Sequence, residues 1–415
     1  MTTRRLVVCY DGTWNSADKG GKPTNVVNLV RAVRNLDDRG VSQITFYDKG
    51  VGTAGGTDAL KGGGFGGGLT ANVLDGYRFL ANNYDEQDEI YVFGFSRGAY
   101  TARSLAGLIG QAGLLSPDDL GAGLLSVLDV YQRTDLEPAQ KRERIAELSR
   151  SFHAPRHNPV RIRCVGVWDT VGSLGIPGDL GRRFLNGKFY FHDVQLGSHI
   201  DVALHAVAID EKRSAFAPTL WVVKSGTPAP KGQAVEQVWF AGAHSNIGGS
   251  YADSGLSDIA FDWMTKRVSV HTDLALDAPA LTPGGPGAVG IDSRTLLYKD
   301  SVAFPYQRVI NREIPKGTGF GEWFRTTFPS LDRRNIPPDG LSTVEERLHI
   351  SVLERWNLDA VPHDCTPGET CVPRPYRPVN LAAVIRAHHE GRSTPVVGWD
   401  GEIMDPGTVP WPDLP

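Results

Sequence analysis

Gly94-Phe95-Ser96-Arg97-Gly98 sets a serine between two glycines, after the β-branched and aromatic run Glu89 to Phe95 and before the helix-compatible run Ala99 to Gly110. Strand, sharp turn, serine and helix in that order make the setting of an exposed nucleophile. The flanking glycines let the backbone turn tightly, so the Ser96 hydroxyl points out over the carboxyl edge of a sheet. The same turn places the N–H of Arg97 at a helix N-terminus, where it can donate to a developing oxyanion. A glycine-flanked serine is common by chance, and an ordinary turn is the bland alternative. Here both flanks carry the context that the chemistry needs.

A serine hydroxyl is a weak nucleophile and requires a base that is itself oriented by an acid. Two later strand patterns end on suitable residues: RIRCVGVWDTVGSLG leaves its apolar run at Asp169, and EQVWFAGAHSNIGGSY at His244. The chain order serine, aspartate, histidine is the order found when acid and base sit on loops after later strands of such a sheet. Asp169 has a competing reading as a turn aspartate capping the next segment. Among the 11 histidines, His205 and His349 lie in the apolar segments DVALHAVAID and RLHISVL and read as satisfied core residues, although His349 stays open as an alternative base. A second oxyanion donor is expected from the loop Asp11-Gly12-Thr13-Trp14-Asn15, through the N–H of Gly12 or Thr13, with Asp11 holding the loop. Arg97 and Arg103 are candidates for contact with an anionic substrate head group, against a structural ion-pair role. The glycine run at 61–68 lacks the Gly-Lys-Ser/Thr ending of a phosphate loop and reads as a flexible loop.

One rival constellation uses the same strand ends. Asp11, Asp169, His244 and Asn246 offer oxygen and nitrogen ligands for a divalent metal in phosphoester hydrolysis. Asp11-Gly12-Thr13 also echoes aspartyl-phosphate phosphatases, but position 13 is Thr where those enzymes carry a second aspartate. The metal reading leaves the Ser96 turn unexplained, so it ranks second. A non-catalytic binding protein on the same scaffold is the third reading.

The elements that must hold these residues alternate. Arg5 to Tyr10, Gln43 to Asp48, Ile90 to Phe95, Arg161 to Trp168 and Val235 to Ala241 read as strands. After Pro23-Thr24, Val26, Val27, Val30, Val33 and Leu36 recur at helical spacing, and Val73, Leu74, Tyr77, Leu80, Ala81 and Tyr84 share one helix face. Such alternation predicts an α/β fold, a mostly parallel sheet with helices on both faces and active residues at the strands' carboxyl ends. From about 266 the texture turns to Pro/Gly-rich loops such as APALTPGGPGAV and PRPYRP. The expected division is therefore a core over 1–265 and a loop-rich extension over 266–415, packed on the core and roofing the site.

Bulk composition narrows the class. The chain has 415 residues and a formal net charge of −4, with a pI near 6.3 and a mean hydropathy of −0.24. No basic stripe interleaved with aromatics marks a nucleic-acid partner. The apolar run after Arg4-Arg5 spans five residues, Leu6 to Tyr10, and leads into Asp-Gly, so it reads as a core strand and not a signal peptide. No run approaches the roughly 18 apolar residues of a membrane span. Cys9 and Cys164 read as small buried hydrophobes; Cys365 and Cys371 lie close enough to bridge but lack metal-site spacing. A reducing cytoplasm is the default, and the oligomeric state is not encoded in any visible pattern.

Several long motifs occur in order: YDGTWN at 10–15, GVGT at 50–53, GFSRGAYTAR at 94–103, VWDTVGSLG at 167–175, HAVAIDEKRSAF at 205–216, WFAGAHSNIGG at 239–249 and LHISVLER at 348–355. Through them the chain resembles the family of α/β-hydrolase domains that includes phospholipase effectors of bacterial type VI secretion. The resemblance implies an α/β-hydrolase-like fold and a Ser-Asp-His hydrolase, carried onto Ser96, Asp169 and His244, that needs no cofactor. It also implies a carboxylic ester substrate of esterase, lipase or phospholipase type, in the studied effectors a phospholipid acyl chain. Transient membrane contact and leaderless export of a cytoplasmically made protein follow from the same likeness. Two departures stand out: Asn246 replaces an aspartate frequent in the family, and 266–415 contains no amphipathic membrane-contacting segment.

Overall fold

The computed structural model describes residues 3–12, 22–50, 64–133, 135–153, 156–172, 196–226, 231–277, 284–293, 306–314, 335–337, 340–366 and 369–413. Its strands are β1 Arg5–Tyr10, β2 Gln43–Asp48, β3 Glu89–Phe95, β4 Ile162–Trp168, β5 Ile200–Ala208, β6 Val222–Lys224, β7 Ala234–Phe240, β8 Leu341–Thr343, β9 Glu346–His349 and β10 Val396–Val397. Eight of them form one sheet in the order β10-β9-β7-β5-β4-β3-β1-β2. Every neighbouring pair in it is parallel. β6 and β8 form a separate antiparallel pair.

A parallel sheet buries both faces, so its strands are apolar throughout. β1 is buried along its whole length. Its side chains alternate between two cores: Leu6, Val8 and Tyr10 join one, Val7 and Cys9 the other. The helices are α1 Asn25–Ala32, α2 Gly64–Asn83, α3 Arg97–Ala112, α4 Ala122–Gln132, α5 Pro138–Leu148, α6 His244–Gly248, α7 Gly255–His271, α8 Ile350–Asn357 and α9 Val379–His389. Residues of α2, α3, α4 and α5 pack in the first core, and residues of α1 and α7 in the second. A third core, around Trp239, Leu348, Leu353, Trp356 and Val384, covers the β9 edge with α8 and α9.

The α/β reading and the five expected strands agree with the structure to within one residue at each end. Three expectations need correction. α2 begins at Gly64, inside the glycine run read as a flexible loop, while 61–63 lie outside the described residues. α1 stops at Ala32, because Val33 leaves the helix and bridges Leu276, so Val33 and Leu36 are not on its face. The division at 265 cuts through the sheet: β9 and β10 come from the region expected to hold only an extension. Both strands are too short, four and two residues, to register as a period-2 pattern. None of the described helices is long and apolar enough to cross a membrane.

Candidate active site

The chain runs from β1 out to β2 and then back to β3 on the other side of β1. That reversal leaves a crevice at the carboxyl ends of β1 and β3, the usual ligand position in an open parallel sheet. Ser96 follows β3 there, and Asp11-Gly12 follows β1. Ser96 has φ 61 and ψ −123, a conformation L-residues rarely adopt, and it begins α3 without a side-chain capping bond. The flanking glycines make the turn sterically feasible. A Cβ on Gly94 would stand 2.4 Å from the Gly98 carbonyl oxygen, and one on Gly98 would stand 2.3 Å from that of Tyr10. The second contact is what brings the start of α3 against the β1 exit.

The base has farther to travel. With strands about 4.8 Å apart, β7 lies roughly 14 Å from β3 across β4 and β5. The segment after β7 closes that gap by turning into α6, which starts at His244 and lies over Phe95. His244 Nε2 is 2.7 Å from Ser96 Oγ, and its Nδ1 is 2.6 Å from Oδ2 of Asp169 at the end of β4. With the carboxylate accepting from Nδ1–H, Nε2 is the free lone pair facing the serine hydroxyl. The ring is held between Phe95, at 4.7 Å between centroids, and Phe216, at 5.0 Å. Burial in this sandwich pulls the imidazole pKa below its ordinary 6.5, against the upward pull of Asp169's hydrogen bond and charge. A neutral imidazole at neutral pH can accept a proton from Ser96 Oγ.

Asp169 also has positive φ, 39. Burial would raise its pKa, but the Arg308 guanidinium and the His244 hydrogen bond outweigh this and hold the carboxyl well below the usual range. Arg308 NH1 is 2.5 Å from Oδ1 and NH2 is 2.9 Å from Oδ2, while the backbone N–H of Ala208 donates to Oδ1 at 2.9 Å. Glu211, after β5, accepts from the backbone N–H of His244 at 3.3 Å and from Ser293 Oγ at 2.8 Å. It also pairs with Arg213, whose guanidinium lies over the Phe216 ring at 3.5 Å.

Other expected site residues are placed differently. The N–H of Gly12 donates to Oδ1 of Asp11 at 2.7 Å, so it is directed at that carboxylate and not into the crevice. Asp11 holds the loop as expected, accepting from Thr24 Oγ1 at 3.0 Å and Tyr47 OH at 2.9 Å. Thr13 lies outside the described residues. The N–H of Arg97 is the first of α3, at the positive end of the helix dipole. Arg103 is buried; its guanidinium donates to the Thr219 carbonyl and lies 5.0 Å from the Trp221 ring, which ties α3 to the segment before β6.

His349 is remote from the serine in role: its Nδ1 meets Ser351 Oγ at 2.8 Å, it caps α8, and its ring stacks on Phe240. The metal constellation is dispersed among other bonds. Both Asp169 oxygens face Arg308, and Asn246 bonds the backbone at Ala243, Val289 and Ile291. Among the described residues no group of three or more His, Cys, Asp or Glu is arranged to hold a metal ion. Cys365 and Cys371 form a disulfide, and Cys9 and Cys164 are buried and free.

Sequence reading missed Arg308 and gave no role to Glu211, Arg213 or Phe216. The last three sit inside a quoted motif, HAVAIDEKRSAF, whose charged residues would have been the signal. Arg308 sits in AFPYQRVINREIP, which carries no strand or helix pattern to place it.

Comparison with known proteins agrees with the motifs. The uncharacterized Saccharomyces cerevisiae protein YEL023C is 29% identical over 232 residues, covering 51% of this chain and 32% of that protein. A crystal structure of an uncharacterized Pseudomonas aeruginosa protein aligns with a TM-score of 0.38 at 17% identity, covering 68% of this chain and 48% of the other. The Tle1 effector bound to the VgrG spike from the Type 6 secretion system aligns with a TM-score of 0.34 at 18% identity, covering 61% and 52%. The chain thus matches about a third of the yeast relative's length and about half of each solved chain. A family model described as "T6SS, Phospholipase effector Tle1-like, catalytic domain" matches residues 4–267, well over half of the chain, and the protein belongs to that family.

Proposed function

We propose that this protein is a serine esterase that removes acyl chains from phospholipids through a covalent acyl-enzyme. The observation that carries the reading is the continuous relay from Ser96 Oγ to His244 Nε2 at 2.7 Å and from His244 Nδ1 to Asp169 Oδ2 at 2.6 Å, on a strained strand-to-helix turn. Family membership supports the choice of a phospholipid acyl ester over other carboxylic esters. No cofactor enters the reaction.

In this reading Ser96 Oγ attacks the ester carbonyl carbon while its proton passes to Nε2 of His244. The imidazolium that forms is stabilised by Asp169. The carbonyl π electrons move onto oxygen, and the resulting oxyanion is met by the N–H of Arg97. Collapse of this intermediate breaks the bond to the leaving alcohol, which takes the proton from Nε2. Water, deprotonated by the same nitrogen, then releases the fatty acid and restores Ser96. Family membership favours delivery of the protein out of the cell that makes it. The Cys365–Cys371 disulfide suits an oxidising destination.

Fatty-acid release from vesicles of phosphatidylethanolamine and phosphatidylglycerol tests the proposal. Wild-type protein should produce lysophospholipid and free fatty acid, and Ser96→Ala should lower the rate at least about 1,000-fold. Release of the head group with both acyl chains retained, or full activity in Ser96→Ala, would overturn it.

A further inference from the structure

Arg308 is completely buried, and a guanidinium cannot be desolvated without partners. Its four acceptors are the two carboxylate oxygens of Asp169 and the carbonyls of Ala208 and Phe216. The fork therefore grips the carboxylate in a fixed plane while tying it to the β5 exit and to the segment carrying Phe216. Oδ2 of Asp169 receives Arg308 NH2 at 2.9 Å on one side and His244 Nδ1 at 2.6 Å on the other. Arg308 lies outside the stretch that matches the family model, residues 4–267.

We propose that Arg308 is a positioning residue for the Ser96 reaction: its guanidinium fixes the plane of the Asp169 carboxylate and sets the proton affinity of the Asp169–His244 pair. This rests on the serine-esterase reading. The charge has a definite sign of effect. A cation bonded to one of two coupled groups, here Asp169, lowers the affinity of the pair for a further proton. The pair thus stays singly protonated, as carboxylate and neutral imidazole, to lower pH than it would without Arg308.

The other charged or titratable groups around the cluster do not replace this cation. Arg213 is matched by Glu211, and Arg103 is engaged with Thr219 and Trp221. His205, on β5, accepts from the Thr170 N–H, and burial holds it neutral with a pKa near 3. Tyr306 sits beside Arg308, and Tyr251 faces Glu211; burial raises the Tyr251 phenol to about 12. Among the described residues, Arg308 is the cation bonded directly to the relay.

The test uses hydrolysis of a p-nitrophenyl ester by the full chain across pH. Arg308→Gln should lower kcat about 100-fold at neutral pH, as misaligned catalytic groups do. It should also move the acid limb of kcat upward by about one unit or more. Circular dichroism over the same pH range gives the folded fraction, and kcat is corrected for it before the limb is read. Arg308→Lys keeps the charge but loses the fork, and should show a reduced kcat with the limb near its wild-type position.

Should Arg308→Gln fail to fold, Asp169→Asn compared with Asp169→Asn/Arg308→Gln gives the answer, because removing both partners leaves no unpaired buried charge. Equal residual kcat in the two is expected of a residue that acts through Asp169; a further tenfold loss in the double variant would overturn the proposal. An unmoved acid limb in Arg308→Gln would overturn it as well. Absence of any Ser96-dependent turnover in the wild type would instead remove the esterase reading itself.

Discussion

Gly248 lies so close to Phe95 that a Cβ on the glycine would stand 1.9 Å from Cε2 of the ring. Phe95 is the last residue of the strand that delivers Ser96, and Gly248 ends the short helix that begins with His244. This contact lets the histidine segment settle directly on the serine strand. Without it, the 2.7 Å approach of Nε2 to Oγ would have to open.

Gly248→Ala is therefore expected to damage the relay more than the fold. Relief of the clash requires the Phe95 ring or α6 to shift, at a cost of about 1–3 kcal/mol for overpacking. A displacement of about 1 Å between base and nucleophile lowers turnover about 100-fold. Thermal unfolding and kcat measured on the same preparation check this: a small loss of midpoint with a large loss of kcat is the expected outcome.

The two candidate bases separate cleanly by substitution. His349→Phe keeps an aromatic ring on Phe240 and loses the Ser351 contacts, so it should cost about 1 kcal/mol of stability as a lost helix cap. Its kcat/KM should stay within about threefold of wild type, because surface and capping changes far from the reacting atoms are largely additive. His244→Gln should lower kcat at least about 1,000-fold. Ester hydrolysis by both variants decides which imidazole serves Ser96.

The pH profile has a definite direction. His244 must be neutral to accept the proton, and burial sets its pKa below the ordinary 6.5. Activity should be retained at pH 6.5 and lost as pH falls through a value beneath it. Burial is the largest cause of this depression, and Phe216 supplies part of the cover. Phe216→Ala admits water to the ring and should move the acid limb up toward 6.5, measured as kcat against pH.

The elements flanking Ser96 were legible because each signal is local and repeated. β3 is continuous and apolar, the two glycines bracket the turn, and α3 follows at once. Asp169 and His244 could be placed at strand exits for the same reason. What lay beyond local pattern was everything fixed by long-range packing. β9 and β10 are too short to carry a period, yet they complete the sheet edge. Arg308 reaches Asp169 across 139 residues of sequence from a segment with no periodic texture. Gly12 failed as an expected donor because the neighbouring Asp11 carboxylate, anchored by Thr24 and Tyr47, takes its N–H. Arg103, a candidate either for a head-group contact or for a structural ion pair, is buried by α3 against Thr219 and Trp221.

The central claim is that Ser96 is a nucleophile activated by His244, and a fluorophosphonate probe reads that chemistry without any assumption about the lipid. The serine oxygen displaces fluoride from phosphorus only when a neighbouring base takes its proton. Mass spectrometry of the labelled protein should find one adduct, on the peptide containing Ser96, in wild type and none in Ser96→Ala. A folded wild type that stays unlabelled, or an adduct that persists in Ser96→Ala, would contradict the account.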